Sequence, residues 1–561
     1  MLFPAIAGCW LASLAHADTI YRVLRVSGSQ APGLPAGVLF DHLGAPRANA
    51  DGSILFWAHL SGPGVTTAND ASLWVDRGLG LTLLAREGDA APEMPGFTLG
   101  SLEYAALNED SSFALTAEFH HPTSPLTTRL MLLHEVGGTL IPVAIETTPI
   151  VGFPETHPLD SLPIARPGPD GMARFAGHVH ESTNVLRSGL WVGEPGGLSL
   201  FAKQGDLLPG MPADHSLVAF EQPVSNAAGD FLFRASMNAP QAPITPRHGI
   251  FIQRTIGGPV LVALTDLVPP VSGASFAEVS PAPALFDDDA FVFWARLHGP
   301  EITPESDAGL FHAVPGGAFY LVVPLLMEGE AAPGIDGVVI RRLAAELTHT
   351  TGGAFAFAAS LVGPGVTHEN NTVLYRAAAP GEPFEPVVRE GDELPGLPGV
   401  EAAVFNAPIL GPGGRLAFFA QLRGVAVTSA DNEALLAVDP EGTLRVIARK
   451  GDELEIAGTP RQIRRIVADA EATGLGHGMF KASGSIVFKL EFTDKSHAIV
   501  AASVGPCRAD CEADGDLDLF DYLCFLDRFA NGDLYADFEC DGDLDLFDFL
   551  AFQQAFTTEC P

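Results

Sequence analysis

Two short acidic segments near the C-terminus have the residue types and spacing that bind calcium. The first reads Asp-Cys-Glu-Ala-Asp-Gly-Asp-Leu-Asp-Leu-Phe-Asp over Asp510–Asp521, and the second reads Asp-Phe-Glu-Cys-Asp-Gly-Asp-Leu-Asp-Leu-Phe-Asp over Asp537–Asp548. A twelve-residue calcium loop needs side-chain oxygens at positions 1, 3, 5, 9 and 12, a backbone carbonyl at position 7, and glycine at position 6. Both segments meet these requirements, so we predict two calcium ions.

The predicted ligands occupy matching positions in the two loops. They are Asp510, Glu512, Asp514, Asp518 and Asp521 with the carbonyl of Asp516, and Asp537, Glu539, Asp541, Asp545 and Asp548 with the carbonyl of Asp543. A solvated acidic run is the alternative interpretation. It does not explain two matching loops, each followed by an apolar helical pattern, at Leu519–Phe529 and Leu546–Phe556.

Duplicated loops of this kind, with Asp at position 12 and no leading helix, resemble a type I dockerin domain. The resemblance covers residues 507–561. It implies a small α-helical domain that docks to a cohesin-like partner, or to another extracellular protein of a larger assembly.

Two features depart from the dockerin pattern. Glu512 and Glu539 stand where a shorter Asp or Asn is usual at position 3. The recognition positions 10 and 11 hold Leu519-Phe520 and Leu546-Phe547 instead of small polar residues. These apolar pairs either face the partner or pack inside the module.

The cysteines point to an exported module. Apart from Cys9, all of them lie in the last 55 residues, which favours disulfides in a domain too small for a large core. We expect Cys507 to pair with Cys560 and Cys511 with Cys540, leaving Cys524 on a buried helix face. Other pairings stay open, because sequence does not fix connectivity.

The N-terminal segment 1–17 is apolar and ends Ala15-His16-Ala17, the small-x-small pattern of a signal-peptidase site. It lacks a charged n-region, so a mis-assigned start and an ordinary buried strand are alternatives. Ile6–Cys9 also resembles a lipobox. No later stretch has about 18 consecutive apolar residues, so no membrane span is predicted. We therefore expect a secreted protein, extracellular or at the cell surface.

The composition excludes some partners. A formal net charge of −37 argues against nucleic acid and anionic membranes. Hydrophobic residues make up 47% of the chain and charged residues 18%, which predicts a folded protein. The 60 glycines and 45 prolines indicate many short strands joined by turns.

The body of the chain is a repeat with a period of about 60 residues. The clearest copy is Arg-Glu-Gly-Asp-Glu-Leu-Pro-Gly-Leu-Pro at Arg389–Pro398. Related copies lie at Arg86–Pro95, Lys203–Pro212, Met327–Asp336 and Arg449–Gly458, with weaker ones at Ile145–Pro154, Leu264–Gly273 and from Arg25.

Each repeat predicts four short strands. The second strand alternates apolar and small residues, as a half-buried strand does. Its eight copies are Ser53–Leu60, Ser112–Phe119, Met172–Val179, Phe231–Met237, Ala290–Leu297, Ala354–Leu361, Arg415–Leu422 and Ser485–Phe492. The third strand also has eight copies. The fourth has seven, and its pattern recurs ahead of the first repeat at Ile20–Val26.

These counts predict an all-β body, an eight-bladed β-propeller over residues 18–504 that the N-terminal strand closes. The dockerin-like domain occupies residues 505–561. A seven-bladed propeller with one irregular repeat and an open β-solenoid are the alternatives.

The recurrent turn places a carboxylate beside glycine at Asp89, Asp206, Asp392 and Asp452. Such a carboxylate either accepts backbone N–H bonds or binds a ligand or ion. Recurrence from blade to blade favours the structural role. A second recurrent loop, at Gly62–Asp70 and Gly363–Asn371, should lie on the same face.

No catalytic motif is present: the chain lacks Gly-x-Ser-x-Gly, His-Glu-x-x-His and a phosphate loop. His120, His121, His178 and His180 are a candidate metal cluster, with ordinary surface histidines as the alternative. We predict no catalytic residues.

The body resembles secreted bacterial tandem-repeat proteins whose unit reads Arg-Glu-Gly-Asp-x-x-Pro-Gly, then Asn-x-x-Gly-x-x-x-Phe-x-Ala, and which carry interchangeable C-terminal anchors. The Asn part is clear at Asn49–Gly52 and Asn226–Gly229. The resemblance implies no known activity.

The sequence favours a secreted non-catalytic repeat or binding protein, attached to an extracellular assembly through its calcium-dependent tail. The alternative is a carbohydrate-active enzyme, a polysaccharide hydrolase or lyase on a propeller, with polysaccharide as the ligand. An enzyme should break the repeat symmetry at a few buried acids or histidines near one end of the channel.

Overall fold

The alternating apolar residues of each repeat form one antiparallel sheet in the computed structural model. Within a sheet the strands are hydrogen-bonded in chain order, first to fourth, so each repeat is one blade. Eight sheets follow one another, and the N-terminal strand completes the last. The body is therefore an eight-bladed β-propeller, as predicted, and the seven-bladed and open alternatives are wrong.

The structure describes residues 11–12, 21–49, 52–78, 80–107, 113–121, 123–136, 139–161, 166–167, 172–182, 185–194, 196–238, 247–266, 273–406, 408–439, 442–456, 458–468, 478–481, 484–504, 509, 511, 519–536, 538 and 544–557. Of the predicted signal segment it describes only Leu11–Ala12, which pairs with the strand Tyr21–Val26. The rest of that prediction lies outside the described residues.

The strand bounds recur from blade to blade. The first strands are Leu39–Leu43, Thr98–Leu107, Leu159–Ser161, Ser216–Phe220, Ser275–Val279, Val339–Leu343, Glu401–Phe405 and Thr459–Val467. Most continue into a short segment, at Arg47–Ala48, Arg166–Pro167, Val224–Ser225, Ala284–Leu285, Thr348–His349 and Ile409–Leu410. The second strands are Ile54–Ser61, Phe113–His121, Ala173–Ser182, Phe231–Asn238, Phe291–His298, Phe355–Val362, Leu416–Arg423 and Ile486–Phe492.

The outer half of each blade is equally regular. The third strands are Ala71–Asp76, Ser124–Val136, Val185–Gly193, Arg247–Gln253, Ala308–Pro315, Thr372–Ala377, Glu433–Val438 and His497–Ala502. The fourth strands are Leu81–Arg86, Thr139–Ile145, Ser199–Lys203, Val260–Leu264, Tyr320–Met327, Glu385–Arg389 and Leu444–Arg449, with Tyr21–Val26 in blade 8.

The first strands lie nearest the axis. Their short continuations touch one another in successive blades, at 284–285, 348–349 and 409–410. The N–H of Leu410 also donates to Thr348 Oγ1 across one of these contacts, at 3.3 Å. Only the innermost strands of a ring come this close to each other.

Apolar cores fill the spaces between blades. Leu55 and Leu73 of blade 1 pack with Phe113 and Leu115 of blade 2. The last and first blades are joined in the same way, because Val487 and Ile499 belong to one core with Phe56 and Trp74. Each fully buried large side chain contributes about 1.5–3 kcal/mol, so the ring is held at every contact between blades.

The closing strand reproduces the bonding of an ordinary blade. Tyr21–Val26 pairs antiparallel with His497–Ala502. Ser27 N–H then donates to the carbonyl of His497 at 2.9 Å, as Glu87 N–H donates to Ala71 in blade 1. Ser27 is thus the residue of the N-terminal copy that corresponds to the motif glutamate.

Blade 8 carries one additional strand. Glu453–Ile456 pairs with Thr459–Val467 at the inner edge of the sheet. Several other copies have Pro-Gly at the corresponding place, as at Pro209-Gly210, Pro333-Gly334 and Pro395-Gly396, which turns the chain. Glu455 and Ile456 lack that constraint and continue as a strand.

The C-terminal module has a small core of its own. Helix α1 spans Leu519–Ala530 and helix α2 spans Leu546–Thr557, with a 3-10 turn at Leu534–Ala536 between them. The rings of Phe525 and Phe552 stack at 3.8 Å between centroids. Neither described helix, at 12 residues each, is long and apolar enough to cross a membrane.

The disulfide prediction was wrong for Cys511. Cys511 bonds to Cys524, with 5.8 Å between their Cα atoms, so Cys524 is not free and Cys511 does not pair with Cys540. Cys511 is buried where the chain enters the module, and from there it reaches Cys524 on α1. The predicted Cys507–Cys560 pair lies outside the described residues.

Candidate functional site

The recurrent Arg-Glu-Gly-Asp turn is held by its own side chains. Gly391 adopts φ of 86°, a conformation that favours glycine. The carboxylate that follows accepts a hydrogen bond from the backbone N–H three residues earlier. The bonds are Arg86 to Asp89 at 2.7 Å, Lys203 to Asp206 at 2.9 Å and Arg389 to Asp392 at 2.8 Å.

The other motif side chains tie this turn to the loop between the second and third strands. Arg389 Nε donates to the carbonyl of Asn370 at 2.6 Å, and Glu390 accepts from the N–H of Thr372 at 3.0 Å. Asn370 in turn accepts from the N–H of Thr367 at 2.7 Å. The two recurrent loops therefore lie on one face, as predicted.

These bonds confirm the structural role of the repeated carboxylates at Asp89, Asp206 and Asp392. The turns also share a backbone bond, in which the N–H of the Asp donates to the carbonyl three residues earlier; Asp452 makes it to Arg449 at 3.3 Å, as Asp392 does to Arg389. The motif explains how the blades are built. A functional site has to be sought where blades differ.

One such difference is a group of six side chains where blade 8 meets blade 1, which we call the seam cluster: His42, Trp57, His59, Lys489, Glu491 and His497. His42 is its shared member. Its ring lies 4.3 Å from that of His497, 5.3 Å from that of Trp57 and 6.4 Å from that of His59.

Charged groups continue the cluster. Lys489 Nζ lies 3.3 Å from His42 Nε2 and 2.9 Å from Glu491 Oε1. Arg464 Nη2 contacts the other Glu491 oxygen at 2.6 Å. At the opposite end, His59 Nδ1 lies 3.5 Å from Asp70.

Burial separates a floor from a rim. Lys489, Glu491 and His497 are buried, whereas Trp57 is 40% exposed and the side chain of Arg464 is 53% exposed. The Nδ1 atom of His497 is also buried and has no hydrogen-bond partner among the described residues. Solvent thus reaches an aromatic and cationic rim above polar groups that are mostly out of water.

The electrostatics keep the imidazoles of His42 and His497 neutral. Burial, together with the charge of Lys489, lowers the pKa of His42 to about 4, and the same two causes lower the pKa of His497. Burial also lowers the pKa of Lys489, with further lowering by Arg465 and Arg464. Burial alone would raise the pKa of Glu491, but the hydrogen bond from Lys489 and the charge of Arg464 lower it. At neutral pH the site offers neutral imidazole nitrogens beside cations.

Corresponding positions in other blades hold different residues. The second-strand position of Trp57 is occupied by Thr116, Ala176, Arg234, Trp294, Ala358, Phe419 and Lys489. The position facing His59 or Glu491 on the third strand is Ala71, Leu130, Ser188, His248, Ala308, Thr372, Glu433 and His497. Among the residues that the structure describes, the contact of blade 8 with blade 1 alone combines an exposed indole, a buried lysine and three histidines.

A glycine allows Trp57 to lie where it does. A Cβ on Gly44 would come within 2.3 Å of the indole, so the ring lies directly over this residue. Gly44 N–H donates to the carbonyl of Trp57 at 2.8 Å. Glu221, Ser280, Ala344 and Asn406 make the same bond in blades 4 to 7, so glycine at 44 is a departure from the repeat.

The histidines singled out in the sequence do not form a metal site. His180 pairs with Asp160, and His120 Nε2 lies 3.9 Å from Glu118. Among the residues that the structure describes, no group of three or more side chains could hold a metal ion.

Three of the predicted calcium ligands are described. Asp521 and Asp548 are each 1% exposed, near the start of α1 and α2, where position 12 of each loop falls. Asp548 Oδ2 accepts from the N–H of Asp545 at 2.9 Å. Buried carboxylates at position 12 fit a calcium loop. The other predicted ligands (Asp510, Glu512, Asp514, Asp516, Asp518, Asp537, Glu539, Asp541 and Asp543) lie outside the described residues.

The sequence matches the profile of a family of unknown function, DUF7453, over residues 7–349 and 325–504. The chain belongs to this family. The second match ends at Val504, the last described residue of the propeller. No curated protein matches the sequence.

Solved structures resemble the chain only distantly. The β-propeller domain of the Trilobed protease from Pyrococcus furiosus has 8% identity and a TM-score of 0.34, covering 74% of this chain and 97% of that one. An oligogalacturonate lyase in complex with manganese has 11% identity and a TM-score of 0.36, and the match covers 87% of this chain and 98% of that one. The polysaccharide lyase Uly1 has 10% identity and a TM-score of 0.32, and the match covers 75% of this chain and 94% of that one. Likenesses this weak carry no argument about activity.

Proposed function

We propose that this protein is a secreted, non-catalytic repeat protein that attaches to an extracellular assembly through its calcium-dependent C-terminal module. The observation that carries the proposal is a duplicated apolar surface on that module. Leu519, Phe520 and Leu523 of α1 are 66%, 60% and 50% exposed. Their counterparts 27 residues later on α2, Leu546, Phe547 and Leu550, are 65%, 58% and 47% exposed.

Such a surface indicates a partner. The opposite sides of both helices already form the module's core around Phe525 and Phe552, so the exposed residues are not needed there. Contiguous exposed apolar residues on a soluble domain mark an interaction site. Residues 507–561 hold 15 Asp/Glu and 2 Lys/Arg, a net −13, which disfavours an anionic membrane and favours a protein such as a cohesin-like domain.

Calcium would be held by the two loops ahead of the helices. When bound, it offsets carboxylates that otherwise repel one another at close spacing. The residues of this chain then fix the starts of α1 and α2, and thereby the positions of the apolar pairs.

The proposal is tested in the organism that makes the protein, by measuring how much of the protein stays attached to the cell surface or to large extracellular assemblies. Wild type should remain with cell-surface or high-mass extracellular material in calcium and be released by a chelator. The variant Leu523→Asp/Leu550→Asp should be found free in the medium even with calcium present. Leu207→Asp, at a leucine 53% exposed on the propeller, is the matched control and should stay attached. Retention of the double variant would overturn the proposal.

The alternative, a carbohydrate-active enzyme, has one observation in its favour. The seam cluster breaks the repeat symmetry at buried histidines and at a buried glutamate, which is the departure an enzyme would need. However, the buried charges of Lys489 and Glu491 pair with each other, and solvent reaches the rim with Trp57 instead. These features favour binding over catalysis.

A further inference from the structure

The seam cluster presents a flat aromatic surface beside polar groups. Trp57 is 40% exposed, and Gly44 leaves room beneath its indole. An exposed indole combines a flat apolar face with one N–H donor, which suits tryptophan to binding surfaces. Nothing in the repeat requires it, because the corresponding residue is Ala176 in blade 3 and Ala358 in blade 6.

Hydrogen-bonding groups surround this ring. His59, at 5.5 Å between ring centroids and perpendicular to Trp57, has a side chain that is 44% exposed. Beyond it, the carboxylate of Asp70 is close to that of Glu87, and burial together with Asp70 raises the pKa of Glu87. One end of the site therefore supplies imidazole and carboxylate groups that can bind hydroxyls.

The other end is cationic. Arg464 and Arg465 are both exposed and stand next to each other on the first strand of blade 8, close enough to Lys489 to act on its pKa. Residues 459–497 contain six Lys/Arg and four Asp/Glu, a local excess of positive charge in a chain of net −37. Lys489, Arg464 and Arg465 outnumber the nearby carboxylates, which are Glu491 and Asp41, the latter close enough to act on the pKa of His497. The excess positive charge is left to be matched by a ligand.

We infer that the seam cluster binds an anionic saccharide, whose sugar ring stacks on Trp57 and whose carboxylate is bound by Arg464 and Arg465. A saccharide fits because it has an apolar ring face for the indole and hydroxyls for the groups around His59. Arginine suits a carboxylate because its planar fork donates two parallel hydrogen bonds. An acidic peptide would satisfy the arginines, but it would leave the groups around His59 without hydroxyl partners.

This inference goes beyond attachment through the tail and does not depend on it. The experiment uses the full chain and isothermal titration with tetragalacturonate and tetraglucuronate, compared with neutral maltotetraose and cellotetraose. We expect saturable binding of at least one uronate oligomer, weakened by salt, and binding of the neutral oligomers at least about tenfold weaker.

Four variants locate the site. Trp57→Ala and the double variant Arg464→Gln/Arg465→Gln should each weaken uronate binding about tenfold or more. Gly44→Ala keeps the indole but places a Cβ 2.3 Å from it, so it should also weaken binding. Phe319→Ala removes another aromatic side chain, 63% exposed in blade 5, and should bind like wild type.

Each variant is first checked for an unchanged thermal midpoint, so that lost binding is not lost folding. Wild-type affinity in Trp57→Ala and Gly44→Ala would overturn the inference. So would equal affinity for neutral and uronate oligomers, or binding of an acidic peptide but not of any uronate.

Discussion

At the scale of single residues, the recurrent Arg-Glu-Gly-Asp motif supplies hydrogen bonds that stabilise the fold. The Asp of each Arg-Glu-Gly-Asp turn binds a backbone N–H, the Glu binds the start of the third strand, and the Arg binds the neighbouring loop. Each blade can lose one of these bonds without losing its core. The motif should therefore affect stability and not binding.

Asp392→Ala tests this at one turn. The change leaves the N–H of Arg389 without its 2.8 Å partner, so the free energy of unfolding should fall by about 1 kcal/mol, with saccharide binding unchanged. Denaturant unfolding measures the loss. Asp336→Ala, at an exposed aspartate in the preceding copy of the motif, is the control and should be neutral. A loss of binding in Asp392→Ala would contradict the structural role.

A second prediction for single residues concerns two neighbouring carboxylates between blades 4 and 5, Asp230 and Asp289. Asn226 Nδ2 donates to the carbonyl of Phe286 at 3.1 Å and to Asp289 Oδ1 at 3.2 Å. Burial, with the neighbouring Asp230, raises the pKa of Asp289 from 3.8 to about 6. Between pH 3.8 and about pH 6, Asp289 therefore keeps its proton in the folded chain and has lost it in the unfolded chain. The stability that the bound proton contributes is lost as the pH rises through 6.

Asp289→Asn does not titrate, and asparagine tolerates the φ of 65° at this position. The free energy of unfolding of the variant should therefore rise relative to wild type between pH 4 and pH 7, and this gain should vanish below pH 4. Urea unfolding across that range provides the measurement. A difference that is constant with pH would show that Asp289 is ionised in the fold.

At the scale of elements, the sequence predicted the strands that alternate regularly. The second strands agree with prediction to within three residues at either end, because apolar and small residues that pack in the cores on both sides of a blade mark them. The first strands could not be assigned in this way. Nearly all carry a bulge, as between Phe40 and His42, which shifts the alternation by one residue.

The seam cluster lay beyond sequence reasoning for a different reason. His42 and Lys489 touch although 447 positions separate them, so no local motif joins them. A usable signal was present: aligning the eight repeats shows that Gly44 and Lys489 depart from their counterparts, and that Trp57 recurs only as Trp294 in blade 5. The disulfide of Cys511 was missed because loop geometry, and not spacing, decides which cysteines meet.

The closing strand makes an element-scale prediction. Deleting residues 21–26 leaves His497–Ala502 with an unpaired edge, and unpaired strand edges promote association between chains. Light scattering should show aggregates of this variant. Deleting residues 505–561 leaves every blade intact and should give a monodisperse control. A soluble closing-strand deletion with the thermal midpoint of wild type would rule out closure by this strand.

At the scale of the whole molecule, the chain combines two independent cores. The helical module packs around Phe525 and Phe552, and the blades pack around their own clusters. Calcium binding to the module should therefore stabilise one part of the protein and not the other.

Calorimetry of the full chain tests this independence. Adding calcium should raise the transition of the module and leave that of the propeller unchanged, and Asp510→Ala and Asp537→Ala should each reduce the increase by removing one site. Circular dichroism of residues 505–561 should show helix appearing as calcium is added. Helix content that is independent of calcium, with disulfides intact, would mean that Cys511–Cys524 and not the metal holds the module.

The place of the last strand also decides how the protein bears tension. His497–Ala502 lies between Tyr21–Val26 and Ile486–Phe492, hydrogen-bonded on both sides, and the tail leaves the propeller directly after it. A pull on an anchored tail must therefore shear two ladders together, whereas a strand at the edge would peel from one. Single-molecule stretching from the tail should show a higher rupture force than stretching through Tyr21–Val26; equal forces would show that closure bears no load.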